Sequence, residues 1–562
     1  MKYFTTRQEF FLCSSSIDQE EKKKLDFLLS LLDDSDVFES IKESLKKDNY
    51  QGRTRIDSHN MFATILYSFA IDGGKLRELE RSCKISLDYM YLMDGVTPTH
   101  VSFANFINDI ISPNIMDIFK MINIAIIKKM DLDIEDVFLD GSKFEANASK
   151  YKFVWKPTKH LENQQKKVIS ILSKYSIPVD LKKVNSVTVA ESITKLQNYA
   201  KSNDEDLETF KVGRGHKLTQ LQKDYRELQE SLNKILKYEE QICICGKNRN
   251  SYYKTDHDAT AMCLKEDYYS GLGSNMHAAY NAQLIVSKGL ILGVNVNQNR
   301  NDYQSLIPCL DQYKEFYGHY PKNVCADAGY GSHSNYKFLE QNKIGNYVKY
   351  PSWEGERKGT NPQLFNIVDG NVVCLNNKIG EIVSIPSRHP KNESAHFYKF
   401  TGCRRCEYKV LCKARCKVKT ESFRIAEICP EYIEQINCAR KNLLSSKGIE
   451  MRVNRSIQVE GDFGNLKQNL SYDRFRRRGL AKVTTEMILM AIGVNIRKYL
   501  RFALSSYVPS FWVAPENLQP ESMPKIKIRK RVPKKKSANQ RTKASYKYKK
   551  RLLSHRFLKS IF

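Results

Sequence analysis

Acidic side chains are in deficit in this 562-residue chain: 63 Asp and Glu stand against 91 Lys and Arg, a formal charge of +28 with a pI near 9.4. A field of that sign draws polyanions, nucleic acid foremost. Long apolar runs are missing too. The best, "MILMAIGVNI" at 487–496, falls far short of the roughly 20 residues a membrane span needs. The N-terminus "MKYFTTRQEFFLCSSS" has no clean apolar core followed by a cleavage site, which argues against secretion. The 14 cysteines are therefore expected as reduced thiols or metal ligands rather than a disulfide framework. A cytoplasmic, nucleoid-associated bacterial protein is the expected setting. Walker phosphate loops and Ser-His-Asp signatures are also absent, so neither ATP-driven nor serine-nucleophile chemistry is indicated.

What is present is a chain long enough for several lobes, with 41% hydrophobic residues to build them. Leucines at three- and four-residue spacing predict helix over 20–50. "GRTRID" breaks that pattern. "SHNMFATILYSFAI", read as capped by Ser58, then leads through "DGG" into "KLRELERSCKI". Helix, glycine turn and basic helix resemble a helix-turn-helix, with Lys75, Arg77, Arg81 and Lys84 toward phosphates. An all-α N-terminal DNA-binding domain is thus expected over 1–125.

Strand character follows at 131–155. Residues 157–247 read as a polar helical insertion, in which Leu218, Leu221, Tyr225, Leu228, Leu232 and Ile235 mark a short a/d seam. A hairpin is expected at 279–300 around Ser-Lys-Gly, an amphipathic helix at 302–318, then strand, loop and helix from Pro321, and a short strand in "IGNYVKYP". Residues 352–450 read as an irregular, cysteine-bearing insertion, and 454–505 as helical. The order suggests an α/β fold: an RNase H-like mixed sheet with helices on both faces over 126–505, carrying two insertions, beside the all-α N-terminal domain.

Two predicted strands finish on an acid: "VFLDGS" at Asp140 and "VCADAGYGS" at Asp327. An Asp-Gly pair can simply mark a turn. Two acids at neighbouring strand tips can instead share a cation that relieves their repulsion, and hard oxygen donors suit Mg²⁺ or Mn²⁺. Gly141 would then leave space for ion and substrate. A third acid, Glu460, lies in "NRSIQVEGDFGNLKQN", with Lys467 seven residues on and so on the same helical face. Phe463 and Leu466 would pack on the sheet. Three carboxylates suit two-metal displacement at a phosphodiester, with Lys467 meeting a DNA phosphate.

"CRRCEYKVLCKARC" spaces Cys403, Cys406, Cys412 and Cys416 as a candidate tetrahedral zinc site, although its five-residue spacer is shorter than in common zinc ribbons. "YDRFRRRGLAK" offers Arg474, Arg476, Arg477 and Arg478 as a phosphate clamp. In "KYKFVWKP", Phe153 and Trp155 either stack on an unpaired base or lie in the core, and the core is favoured. From Lys525 to Phe562 the tail has no acid and sixteen Lys or Arg; it is expected to be disordered and to bind DNA without sequence preference.

Taken in order, "GRTRIDSHNMFATILYSFAIDGGKLRELERSCKISLDYMYLMDGVTPTHVSFANF", "FLDGSKFEANASKYKFVWKP", "KTDHDATAM", "MHAAYNAQ", "ADAGYGS" and "VEGDFGNLKQN" with "FRRRGLAKVTTEMILMAIGVNIRK" resemble successive blocks of bacterial DDE transposases of the insertion-sequence 1182 type, over roughly residues 50–500. The resemblance implies an RNase H-like core with two divalent ions and a DDE triad at Asp140, Asp327 and Glu460. It further implies hydrolysis at the element's ends and attack of the freed 3′-hydroxyl on target DNA, within a homodimer or higher oligomer. Related enzymes carry Tyr-x2-Arg-x3-Glu-x6-Lys around the last acid. Here Glu460 and Lys467 fit, but Ser456 and Val453 stand at the arginine and tyrosine positions, with Arg455 one residue off. A nuclease that cuts without joining, or a non-catalytic DNA-binding derivative, are the other readings; the intact triad argues against the last.

The tail makes a first prediction. A chain ending at residue 524 should bind non-specific duplex more weakly, and its log affinity should fall less steeply with log salt, by about 0.9 for each phosphate that the tail had neutralised. Fluorescence anisotropy over a salt series measures this, and an unchanged slope would exclude the tail as a DNA-binding element.

Overall fold

A ten-residue strand, β1 (Asp136–Glu145), runs through the middle of the central sheet. The computed structural model describes residues 17–46, 56–178, 184–207, 218–247, 249–264, 275–386, 389–413, 416–420 and 422–524; the basic tail lies outside them. Along the chain, β1 is followed by β2 (Phe153–Trp155), β3 (Ser251–Tyr253), β4 (Thr260–Met262), β5 (His277–Ser287), β6 (Leu290–Asn297), β7 (Asn323–Ala326) and β8 (Gly345–Asn346). On one side β1 pairs antiparallel with β5, whose far edge carries β6 and β4. On the other it pairs parallel with β7, which pairs parallel with β8. The sheet is therefore mixed, as expected. The β5–β6 hairpin turns on Lys288 and Gly289, both at positive φ (47° and 78°), the backbone of a two-residue turn matched to strand twist.

Two compact units divide the chain: Met1–Pro351 with Glu434–Glu521, and Ser352–Ile433 with Ser522–Phe562. In the first, the helix Leu480–Ser505 is the pillar. Its residues from Met487 to Ile496 are all buried, so "MILMAIGVNI" is core. The helix starts at Gly479, where Asp258 accepts from the Leu480 N–H (2.8 Å) and Asp256 from the Gly479 N–H (3.2 Å). These carboxylates favour the positive end of the helix dipole, and they account for the acids in "KTDHDATAM". The helix Ser58–Ile71 packs against the pillar so closely that a Cβ at Gly493 would meet the Phe69 backbone at 2.5 Å. Its cap is Asp57, which accepts from the Asn60 N–H, and not Ser58. Met61 to Ala70 are all buried. The first helix of the expected helix-turn-helix is thus core.

The helical stretch His100–Met130 is long and apolar enough to cross a membrane by length and composition, although polar residues interrupt its apolar runs in the sequence. Here it is a core element. Phe119 packs on Phe316 at 6.0 Å, and Asn123 is fully buried. Asn123 and Asn495 both donate to the Ile291 carbonyl on β6, at 3.1 and 2.7 Å, while Asn495 accepts from the Ile291 N–H at 2.9 Å. An edge strand has unpaired backbone groups, and this pair of amides satisfies those of Ile291.

The polar stretch after Trp155 is largely helical among the described residues. β2 and β3 pair antiparallel at its base, and three helices, Thr158–Leu172, Ser186–Ser202 and Gln220–Cys245, form its bundle. The a/d seam is consumed inside it: Leu221, Tyr225, Leu228 and Ile235 pack against Val168, Leu172, Ile193 and Leu196. Trp155 is a correction. The β2–β3 ribbon is only two strands wide, too narrow to cover the indole, which is 61% exposed.

The second unit is not irregular. It holds a two-stranded and a four-stranded antiparallel sheet, with Phe423–Ile428 alternating between half-buried and buried residues. Its strands have six residues or fewer, which gives a period-two pattern little length in which to register.

Replacing Asn495 by Ala leaves the buried Ile291 N–H and the Asn123 amide short of a partner. A loss of about 2 kcal/mol is expected, read as a lower urea midpoint at unchanged m-value.

Candidate active site

Asp140 does not end its strand. β1 continues to Glu145, held by β5 on one side; at its far end the Glu145 N–H donates to Asp473 O (3.1 Å) and the Phe475 N–H to Glu145 O (2.8 Å). What ends is β7. Its register with β1 closes at Leu139↔Ala326, so Asp140 and Asp327 are the next residues along two parallel strands. Equivalent residues of a parallel pair point to the same face. Asp140 is thus exposed to partners because its neighbour strand has stopped beside it.

Glu460 comes from the helical run that follows Ser446–Arg455. This run is not a plain α-helix: Ser456–Glu460 and Asn465–Asn469 are π-helical, with Gly461–Gly464 between them. A π turn spans five residues where an α turn spans four. Arg455, five before Glu460, therefore returns to the same side as Glu460. Its guanidinium donates to Asp140 Oδ2 at 2.8 Å and to Glu460 Oε1 at 3.2 Å. Arg455 stands one residue off the signature spacing, and the π turn is what brings it round to Glu460.

The turn is anchored to the sheet. Gln458 accepts from the Gly289 N–H at 2.9 Å, and Lys498 links the Gly289 carbonyl to the buried Asp462. Phe463 and Leu466 are buried, with Phe463 packed on Phe144 of β1 (6.2 Å), as the sequence reading expects. Lys467 reaches β1 as well, donating to the Lys143 carbonyl at 3.1 Å with its ammonium 4.7 Å from the Phe144 ring centre. The Lys467 ammonium is thus engaged by the strand.

Electrostatics reflect the crowding. Burial pushes the Asp140 carboxyl up, and the charge of Asp327 adds to this, against the Arg455 guanidinium and the Gly141 N–H. Burial also acts to raise Asp327, but Lys349 (Nζ 3.3 Å from Oδ1), then Arg455 and the Ala328 N–H, outweigh it and hold the carboxyl down. Lys349 and Arg455 are the two partners that residue pattern alone did not reveal. The signal for Arg455 was its nearness to the signature position; Lys349 had none.

Gly141 has a different role from the one expected. In register it faces Gln283, and a Cβ there would stand 2.2 Å from Gln283 Nε2. That amide cannot readily yield: it donates to Asp302 Oδ1 (2.9 Å) and Asn281 Oδ1 (3.1 Å) and accepts from the Tyr330 hydroxyl. The glycine makes room for a buried polar network behind Asp140, joining "YNAQ" to "ADAGYG".

The predicted basic residues divide. Lys75, Arg77, Arg476, Arg477 and Arg478, with Lys482, line one cleft of about 730 Å³ in the first unit. Within it, Arg476 donates to Gly73 O (2.6 Å) and Arg477 to Asn108 Oδ1 (2.9 Å). Both are half-buried and tie the chain after Glu460 to the N-terminal helices. Lys75, Arg77, Arg478 and Lys482 are exposed at the cleft. Arg81 and Lys84 are exposed outside its lining, with Lys84 paired to Glu80 (3.0 Å), and Arg474 is exposed beside the end of β1.

In the second unit, Cys403, Cys406 and Cys412 line one small pocket with Cys374 and the buried Arg424, and Cys416 lies 3.2 Å from Cys412, sulfur to sulfur. The Cys412 thiol stabilises a Cys416 thiolate, and Arg424 assists, so Cys416 is lowered and Cys412 raised. The donor set suits zinc. Among the described residues, no three of these four sulfurs all lie within 4.8 Å of one another, so closing on an ion would draw them in.

A Gly141→Ala variant should lower the melting temperature by several degrees, since Gln283 must leave its partners. Gly141→Ala with Gln283→Ala should recover part of that loss. Differential scanning fluorimetry reads both, and an unchanged melting temperature in the single variant would rule out the close approach.

Residues 373–500 match the family model described as the transposase DDE domain. This stretch includes the four cysteines, Arg455 and Glu460, and excludes Asp140 and Asp327. Comparison with curated proteins and with solved structures yields no match. The family match, on a mixed α/β sheet compatible with an RNase H-like domain, supports a DDE transposase.

Proposed function

We propose that this chain is a DNA transposase of the insertion-sequence 1182 type that cuts at the ends of its own element and joins the freed 3′-hydroxyls to target DNA. The observation that carries the reading is the meeting of Asp140, Asp327 and Glu460, from two strands and a late helical run, around one arginine. Their all-oxygen donor set suits Mg²⁺ or Mn²⁺. Bound there, a pair of such ions supplies in-line activation of phosphodiester displacement. The chain's own part is to hold the three acids in register through the β1–β7 pair and the anchored π turn. Lys75, Arg77, Arg478 and Lys482 hold the DNA backbone along the cleft, with Arg474 nearby. Joining two element ends calls for a homodimer or higher oligomer, acting in the bacterial nucleoid. The cysteine pocket holds a structural zinc ion.

With Mg²⁺, labelled element ends and a target plasmid, the protein should give cleaved and joined products. Asp140→Asn, Asp327→Asn and Glu460→Gln should each reduce both by ~100-fold or more. Cleavage without joining would leave a nuclease, and full activity in all three variants would sink the assignment. For the cysteines, elemental analysis of purified protein should find ~1 zinc per chain, absent from Cys403→Ser with Cys412→Ser; zinc-free wild type at full stability would refute that site.

A further inference from the structure

We infer that Arg455 is a built-in counter-cation: its guanidinium occupies the carboxylate site in the metal-free protein and has to leave Asp140 for a divalent ion to bind. This rests on reading the three acids as a divalent-cation site. Both Asp140 oxygens are already engaged, Oδ1 by the Gly141 N–H at 2.9 Å and Oδ2 by Arg455 at 2.8 Å. The Gly141 N–H belongs to the strand backbone, so Oδ2 is the oxygen a metal can gain, and Arg455 holds it. The same guanidinium holds Glu460 Oε1 at 3.2 Å. One planar cation thus bridges two acids, as a divalent ion would.

The Arg455 side chain is 8% exposed, whereas that of Glu460 is 55% exposed. Arg455 Nε has no hydrogen-bond partner among the described residues, so the arginine is held chiefly by the acids themselves. A dication on Asp140 would stand within a few ångströms of this charge, and like charges at that distance repel. Lys349 differs: its contact is with Asp327 alone, a carboxylate that is half exposed. The π turn gives Arg455 this reach by returning it to the side of Glu460.

The test is Mn²⁺ binding to the DNA-free protein, followed by the electron paramagnetic resonance of free Mn²⁺. Arg455→Gln should bind Mn²⁺ ~10-fold more tightly than wild type, and Arg455→Lys, whose single ammonium bridges poorly, should fall between. Without metal, Arg455→Gln should melt below wild type, and Mn²⁺ should restore it. If Arg455→Gln binds Mn²⁺ no more tightly while Asp140→Asn abolishes binding, the metal site stands and the competition is refuted. If Asp140→Asn binds Mn²⁺ as wild type does, the metal-site reading fails and takes the inference with it. Should Arg455→Gln not fold, a Mn²⁺-soaked wild-type crystal decides. Arg455 moved off Asp140 Oδ2 supports the inference, and a bound ion with that hydrogen bond retained overturns it.

Discussion

Repulsion between the carboxylates of Asp140 and Asp327 is the constraint around which this site is organised. Asp140 is buried enough for its carboxyl to be raised, and Asp327 on the adjoining strand raises it further. Such a cluster survives in a fold only when opposite charge is delivered to it. Arg455 and Lys349 deliver it, the first from a late helical run and the second from the chain just past β8. The hairpin turn fixes the π turn through Gln458, and the long helix fixes it through Lys498 and Asp462. The geometry of the acids thus depends on elements that bear none of the three.

Behind the site, polarity is satisfied layer by layer. Gln283 is held by Asp302, Asn281 and Tyr330. Asp256 accepts both from the Tyr280 hydroxyl and from the start of the long helix. Buried polar groups are costly unless paired, so these networks pin β1, β5 and the helix to one arrangement. They also explain motif residues that look catalytic in a string of letters and act as scaffold in space.

Much of the architecture was legible because it has local physical causes. The β5–β6 hairpin follows from two apolar runs around Lys288-Gly289, and the insertion from a leucine seam of helical period. The three acids were singled out from expected strand ends and block order; the strand end at Asp140 was misread, since β1 runs on to Glu145. The irregularity assigned to the second unit was wrong, since its strands are too short to show a period. The arginines after Glu460 were grouped by charge alone, which cannot separate Arg476 and Arg477, bonded within the chain, from the exposed Arg478.

By itself the sequence determined the surplus of positive charge, the alternation of strand and helix, and the three acids with a basic residue near the third. These are properties of composition and of periods a few residues long. Tertiary structure alone decided that Asp140 lies in mid-strand, that Gly141 makes room for Gln283, that Lys467 leans on β1, and that Arg455 joins two acids far apart in the chain. The reason is one of range. Each of these depends on which chain segments become neighbours and on where β7 stops or a helix widens by one residue. No local pattern of residue types encodes those meetings.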